Sequence, residues 1–159
     1  MKKLLITAGV ILLLMVVAVS AFKMVQNKDW LEQRRIELLE EALAPRTADL
    51  AAYSWAEAVK TRNGAWQYAL MDENLRAQYL EEFESLNWVT GFSSPWVEKY
   101  RVSRESEDEK GNVTFKVEFD WYTSAGYAYS NTGILTVSKV PDQDKWLITY
   151  LEFSYEPDN

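Results

Sequence analysis

Val113-Thr114-Phe115-Lys116-Val117-Glu118-Phe119-Asp120-Trp121 alternates apolar and polar side chains at every step. Successive side chains of a strand point to opposite faces, so this stretch reads as a strand with one buried and one wetted face. A hairpin signal, Lys110-Gly111-Asn112, precedes it. Working outward, a strand is expected over Trp96 to Arg104, with Trp96, Glu98, Tyr100 and Val102 on one side. Further strands are expected over Tyr127 to Val140 and Trp146 to Phe153, separated by Pro141-Asp142-Gln143-Asp144. Four strands at hairpin spacing imply one antiparallel sheet. The acidic run Glu105-Ser106-Glu107-Asp108-Glu109 reads as a solvated hairpin connection.

Before Trp88 the period changes. Ala48, Ala51, Ala52, Trp55, Ala58 and Val59 recur at helical spacing behind Thr47 or Asp49 as cap, and the small alanines allow close approach to a sheet. A short helix from Ala65 to Met71 and another from Asp72 follow, the second carrying Leu75, Tyr79, Phe83 and Leu86 on one face. Helices first and strands after, without alternation, predict an α+β fold.

The N-terminus has a different texture. Leu4 to Phe22 contains no charged residue, and a helix of that length approaches the roughly 30 Å hydrocarbon thickness of a bilayer. Lys2 and Lys3 precede it, and Lys23 and Lys28 follow. The expectation is a transmembrane signal anchor within residues 1–28, a stalk helix in 29–46 from Trp30 to Leu43, and an α+β domain over 47–159 outside the cell. Val19-Ser20-Ala21 also suits cleavage before Phe22, which would leave a secreted protein. The run exceeds the roughly 7 to 15 apolar residues of a signal core, which favours an anchor.

Every acidic residue lies at or beyond Asp29; from there to the C-terminus 24 acids face 13 bases. That field repels polyanions, so nucleic acid is not an expected partner. The chain has no histidine and no cysteine, which removes imidazole acid-base chemistry, Ser-His-Asp and Cys-His nucleophiles, thiolate zinc sites, disulfides and a lipidated cysteine. Gly64, Gly91, Gly111, Gly126 and Gly133 are scattered singly, as turn or bulge residues rather than a phosphate loop. No cofactor and no metal site are expected.

The residues resemble the NTF2-like superfamily over about 47 to 155. The resemblance rests on the element order, the helix bearing Trp55, the aromatic-rich helices to Leu86, and the terminal strands Gly133-Ile134-Leu135-Thr136-Val137 and Lys145-Trp146-Leu147-Ile148-Thr149. It implies a cone in which helices close over a curved antiparallel sheet, and membrane-anchored bacterial proteins that face outward. Sheet-to-sheet homodimers are frequent in that group, and some members abstract protons with a carboxylate in the cone. The candidates for such a base are Asp120, Glu118 and Glu57. Asp120 lies on the polar face of its strand, and Glu57 lies about 200° around the helix from Trp55, so both read better as surface groups.

Seven tryptophans and nine tyrosines are the compositional anomaly. They read first as an aromatic core, and alternatively as a ligand-binding lining in which Trp55, Trp66 and Trp121 are the candidates. Tyr122, Tyr127 and Tyr129 are expected to be exposed. Binding, to a protein partner or an envelope component, is the expected function rather than catalysis.

Overall fold

A computed structural model describes the backbone of residues 2–154 and the side chains of 22–153, with those of Met15, Val17, Val19 and Ser20. The chain divides into two compact units, one ending at Leu43 and one beginning at Ala44.

The first unit is a single helix, α1 (Lys2–Leu43). The expected anchor and stalk are thus one uninterrupted helix, because neither glycine nor proline falls between Phe22 and Leu43 to break it. Arg34–Glu37 and Arg35–Glu32 ion pairs lie along it, and Phe22, Trp30, Ile36, Leu39 and Leu43 are exposed. No helix among the described residues is long and apolar enough to cross a membrane. Most side chains of the apolar run Leu4 to Phe22, on which the expected anchor rests, lie outside the described residues.

The second unit is α+β. Three helices, α2 (Ala48–Lys60), α3 (Gly64–Ala69) and α4 (Glu73–Ser85), precede four strands, β1 (Trp96–Glu107), β2 (Val113–Thr123), β3 (Gly126–Lys139) and β4 (Trp146–Ser154). The strands form one antiparallel meander in the order β1-β2-β3-β4. Each helix starts where a side chain satisfies an orphan N–H. Thr47, Asn63 and Asp72 accept from the amides of Leu50, Trp66 and Leu75 at 3.1, 2.9 and 2.9 Å.

The core is the inner face of the sheet packed on α2. Val113, Phe115, Val117 and Phe119 of β2, with Leu135, Val137 and Ile148, meet Ala51, Ala52, Trp55 and Ala56, all fully buried. Alanine stops the helix side chain at Cβ, so the helix backbone comes close to the sheet and the large side chains of β2 fill the space. Backbone bonds clamp β4 to the helical layer: Trp146 N–H donates to Pro45, Ile148 N–H to Leu70, and Asp72 N–H to Ile148, each at 2.9 Å.

Three local expectations are corrected. A bulge between Val97 and Lys99 leaves Glu98 unpaired, so Val97 is buried and Glu98 exposed, while Tyr100 and Val102 pack against the core. A single inserted residue reverses the facing of every later position in the strand, and alternation alone does not reveal it. Glu105 and Glu107 belong to β1, and the hairpin proper runs from Asp108 to Asn112. Asp108 closes it by accepting from Lys110 N–H and from the backbone and side-chain amides of Asn112 at 2.8 to 2.9 Å, which holds its carboxyl below the ordinary range. Gly133 is neither turn nor bulge but sits within the regular β2–β3 ladder, opposite Val117 and Phe153.

Two side chains hold the connection from Leu86 to Pro95, Gln67 through Thr90 and Arg62 through three carbonyls. Arg62 donates to the carbonyls of Gly91, Ser93 and Pro95 at 3.1, 2.5 and 2.9 Å, and its own carbonyl accepts from Thr90 N–H. Arg62, Asn87 and Trp88 all have positive φ, a conformation unfavourable for non-glycine residues and retained where surrounding bonds fix it.

Candidate functional site

A cavity of about 290 Å³ opens between the helical layer and the far end of the sheet. Trp55 and Val59 of α2, Gln67 of α3, Tyr79, Glu82 and Phe83 of α4, and Trp121, Asn131, Leu151 and Phe153 of the sheet line it, with Met71 and Thr90 from connections. Its size is at the lower end of the range of small-molecule pockets, roughly 300–1,000 Å³.

The aromatic walls brace one another. Trp55 packs on Phe153 at 5.4 Å between ring centroids and edge-on against Phe119 at 6.0 Å. Trp121 stacks on Tyr129 at 5.8 Å, and its Nε1–H donates to Asn131 Oδ1 at 2.8 Å. Phe83 stacks on Trp88 and receives Tyr68 edge-on. These offset and edge contacts fix ring orientation beyond what area burial supplies.

Polar groups are few and placed among the rings. Gln67 is 7% exposed, and both its amide hydrogens are used, on Ala58 O at 3.2 Å and Thr90 Oγ1 at 2.9 Å. Its Oε1 accepts no hydrogen bond among the described residues. Asn131 Oδ1 is taken by Trp121, which leaves its NH2 to donate. Trp55 is 1% exposed, and its Nε1 is the one buried side-chain polar atom without a partner among the described residues. Of the described residues in the lining only Glu82 carries a charge, and it is exposed.

Of the three tryptophans expected in a lining, Trp55 and Trp121 are brought together here. Trp66 lies outside, half-buried against the core. Its neighbour one residue on, Gln67, faces the cavity instead, because successive helical positions diverge by about 100°.

The carboxylate candidates lie elsewhere. Asp120 and Glu118 are on the outer face of β2, the direction opposite to Phe119 and Trp121. Ser130 Oγ donates to Asp120 at 2.7 Å and Arg101 pairs with it at 3.2 Å; its side chain is 15% exposed. The Ser130 bond, reinforced by Arg101, holds the Asp120 carboxyl below the usual range. Lys116 and Arg101, at 2.9 and 3.1 Å, do the same for Glu118. Glu57 is half-buried and accepts the Tyr100 hydroxyl at 2.9 Å. Burial first, and then that bond, push the Tyr100 phenol up to about 12. No cluster of three carboxylates that could hold a metal occurs among the described residues.

Gln67, Thr90, Asn131 and Phe153 were not expected in the site. Asn131 had a readable signal: it shares its strand phase with Gly133, Leu135 and Val137, so a polar amide stands where the pattern calls for an apolar residue. Tyr122 and Tyr129 are half-buried rather than exposed, while Tyr127 is exposed as expected. Comparison with protein families, with curated proteins and with solved structures finds no match to this chain.

Proposed function

We propose that this chain is a non-catalytic binding protein of NTF2-like architecture, held to the outer face of a membrane by its N-terminal apolar segment and recognising a protein or envelope component at the cavity mouth. The single observation that supports binding over chemistry is the cavity's composition. Its walls are aromatic, its polar groups are neutral amides and hydroxyls, and the one carboxylate in its described lining is exposed to water. A carboxylate base for proton abstraction needs burial that raises its pKa. Asp120 and Glu118 instead sit outside the cavity with their charged forms favoured.

The helical layer covering one face of an antiparallel sheet is the arrangement that the NTF2-like reading requires. The uncharged run Leu4 to Phe22, between lysines, supports the anchor. Fractionation of cells expressing the full chain tests the placement: the intact domain should remain with the membrane pellet in untreated cells and be digested when protease is added outside intact cells. Affinity capture from those membranes tests the function. The native chain should retain a component that the cavity-filling variant Asn131→Trp, shown to be folded, does not. Equal retention by both removes the cavity from the function, and an intact domain in the soluble fraction removes the anchor.

A further inference from the structure

The reading as a binding protein leaves the chemistry of the ligand open, and the ring surface and charge of the cavity narrow it. Tyr79 and Trp121 are half-buried and Phe153 is 44% exposed, so all three keep accessible surface while they line the cavity. The face of an aromatic ring is its negative pole and attracts a cation held within about 6 Å of the ring centre. Glu82 adds the one full charge of the described lining, and it forms no ion pair among the described residues. Gln67 adds a negative dipole. Both its amide hydrogens are engaged, and its Oε1 accepts nothing among the described residues; the one unpartnered side-chain polar atom sealed from solvent among them is Trp55 Nε1, so Gln67 Oε1 keeps accessible surface. Lys60 and Arg76 lie over the rings of Tyr100 and Tyr68, outside the lining, and no lysine or arginine belongs to the described lining.

We propose that the cavity binds a small organic cation of the quaternary-ammonium class, its methyl groups against Tyr79, Trp121 and Phe153 and its charge toward Glu82. The proposal rests on the reading of the chain as a binding protein. A quaternary ammonium spreads one charge over apolar groups and has no N–H to leave unpaired, so ring faces can replace its water. A divalent metal ion needs several oxygen ligands, and no cluster of three carboxylates occurs among the described residues. An anion would meet Glu82 with no lysine or arginine in the described lining to offset it. Asn131 opposes the cation, because its Oδ1 is taken by Trp121 and its NH2 is left. That NH2 is a neutral dipole, whereas Glu82 brings a full charge. From Asp29 onward 24 acids against 13 bases raise the local concentration of cations around the domain.

The test titrates choline and its uncharged isostere 3,3-dimethylbutanol into the full chain in a maltoside detergent. Binding is followed at the indole N–H signal of Trp121, assigned by its disappearance in Trp121→Phe. Choline should bind at least about tenfold more tightly than the isostere, the value of a cation on desolvated rings. Glu82→Gln should weaken choline binding by about threefold, as loss of one exposed charge does, and leave the isostere unaffected. Glu84→Gln, which removes an exposed acid of the same helix outside the lining, should leave choline binding within about twofold, because water and salt screen it. Glycerophosphocholine, which joins the same cation to a phosphate, separates the sources: binding as tight as that of choline supports a lipid headgroup, weaker binding supports a free cation, and the class stands in both cases. Equal or tighter binding of the isostere overturns the cationic class, and equal losses in Glu82→Gln and Glu84→Gln overturn the role of Glu82. If neither compound moves the Trp121 signal while membrane capture is still lost in Asn131→Trp, the cation is overturned and the binding reading stands. If capture too survives that variant, both fall.

Discussion

The Cβ that Gly133 lacks would stand 2.8 Å from Cε1 of Phe153. The two residues are register partners on β3 and β4, and the phenyl ring occupies the space over the glycine while it packs on Trp55. The glycine is thus required for steric room rather than for an unusual backbone angle. Gly133→Ala should displace the ring and destabilise the domain by about 1–3 kcal/mol, the usual cost of overpacking. Denaturant unfolding of Gly133→Ala, Phe153→Leu and the double variant checks it. The double variant should recover part of the loss, with a coupling above about 0.5 kcal/mol.

Arg62 gives a second prediction. It holds three carbonyls of one loop; water can replace it at the exposed Gly91 and Ser93, which limits the loss to about the 1.5–3 kcal/mol of one hydrogen bond from a charged donor. Arg62→Ala should lower stability within that range. Amide exchange should accelerate over residues 88–95 well before it changes in β2 and β3.

The Asp120 cluster predicts a pH dependence. Its folded pKa lies below the ordinary value of about 3.9, so its contribution is present above about pH 4 and is lost as pH falls through the folded value. The Ser130 bond is the larger cause of the shift, and Arg101, largely exposed and screened by water, the smaller. Asp120→Asn should therefore be modestly less stable at pH 7. The difference should close in unfolding curves taken toward pH 2.

Tyr100 predicts the alkaline side. Its phenol is raised to about 12, above the ordinary value of about 10. Its neutral form is favoured in the folded state, so this contribution is present below pH 10 and is lost as pH rises from 10 to 12. Absorbance titration at the phenolate band should show a late step that Tyr100→Phe removes, apart from that of Tyr150, whose bond to Glu152 also raises it. In Glu57→Gln that late step should move toward 10 without reaching it, because burial is the larger cause.

The sequence carried the fold wherever side-chain period decides conformation. The nine alternating residues of β2 and the alanine face of α2 were readable, because each meets the other in the core and any other facing would bury charge. Reading failed where one inserted residue changes facing, as at Glu98, and where a charged run continues a strand, as at Glu105 and Glu107. The candidate site was half legible. Trp55 and Trp121 could be proposed from their bulk, but which tryptophans share a cavity depends on how α3 and α4 are placed over β3 and β4. Trp66 and Gln67, adjacent in sequence, end on different surfaces for that reason. The pairing of Glu57 with Tyr100 spans 43 positions and has no local signature. Asn131 was visible as a polar residue in an apolar phase and could have been found by asking what a buried amide serves.

The backbone clamp on β4 bears on association between copies of the domain. A meander has two open margins, and an open margin is a template on which another chain can add a strand. Here the β4 margin is occupied over its first half by Pro45 and by Leu70 to Asp72. The β1 margin is interrupted by irregularities at Glu98 and Glu105 and carries Lys99, Arg101, Arg104 and Glu107. Copies packed densely side by side would find few continuous margins on which to polymerise. The occupied half of the β4 margin should therefore accept a seeding strand only after Trp146 to Ile148 is freed from its clamp.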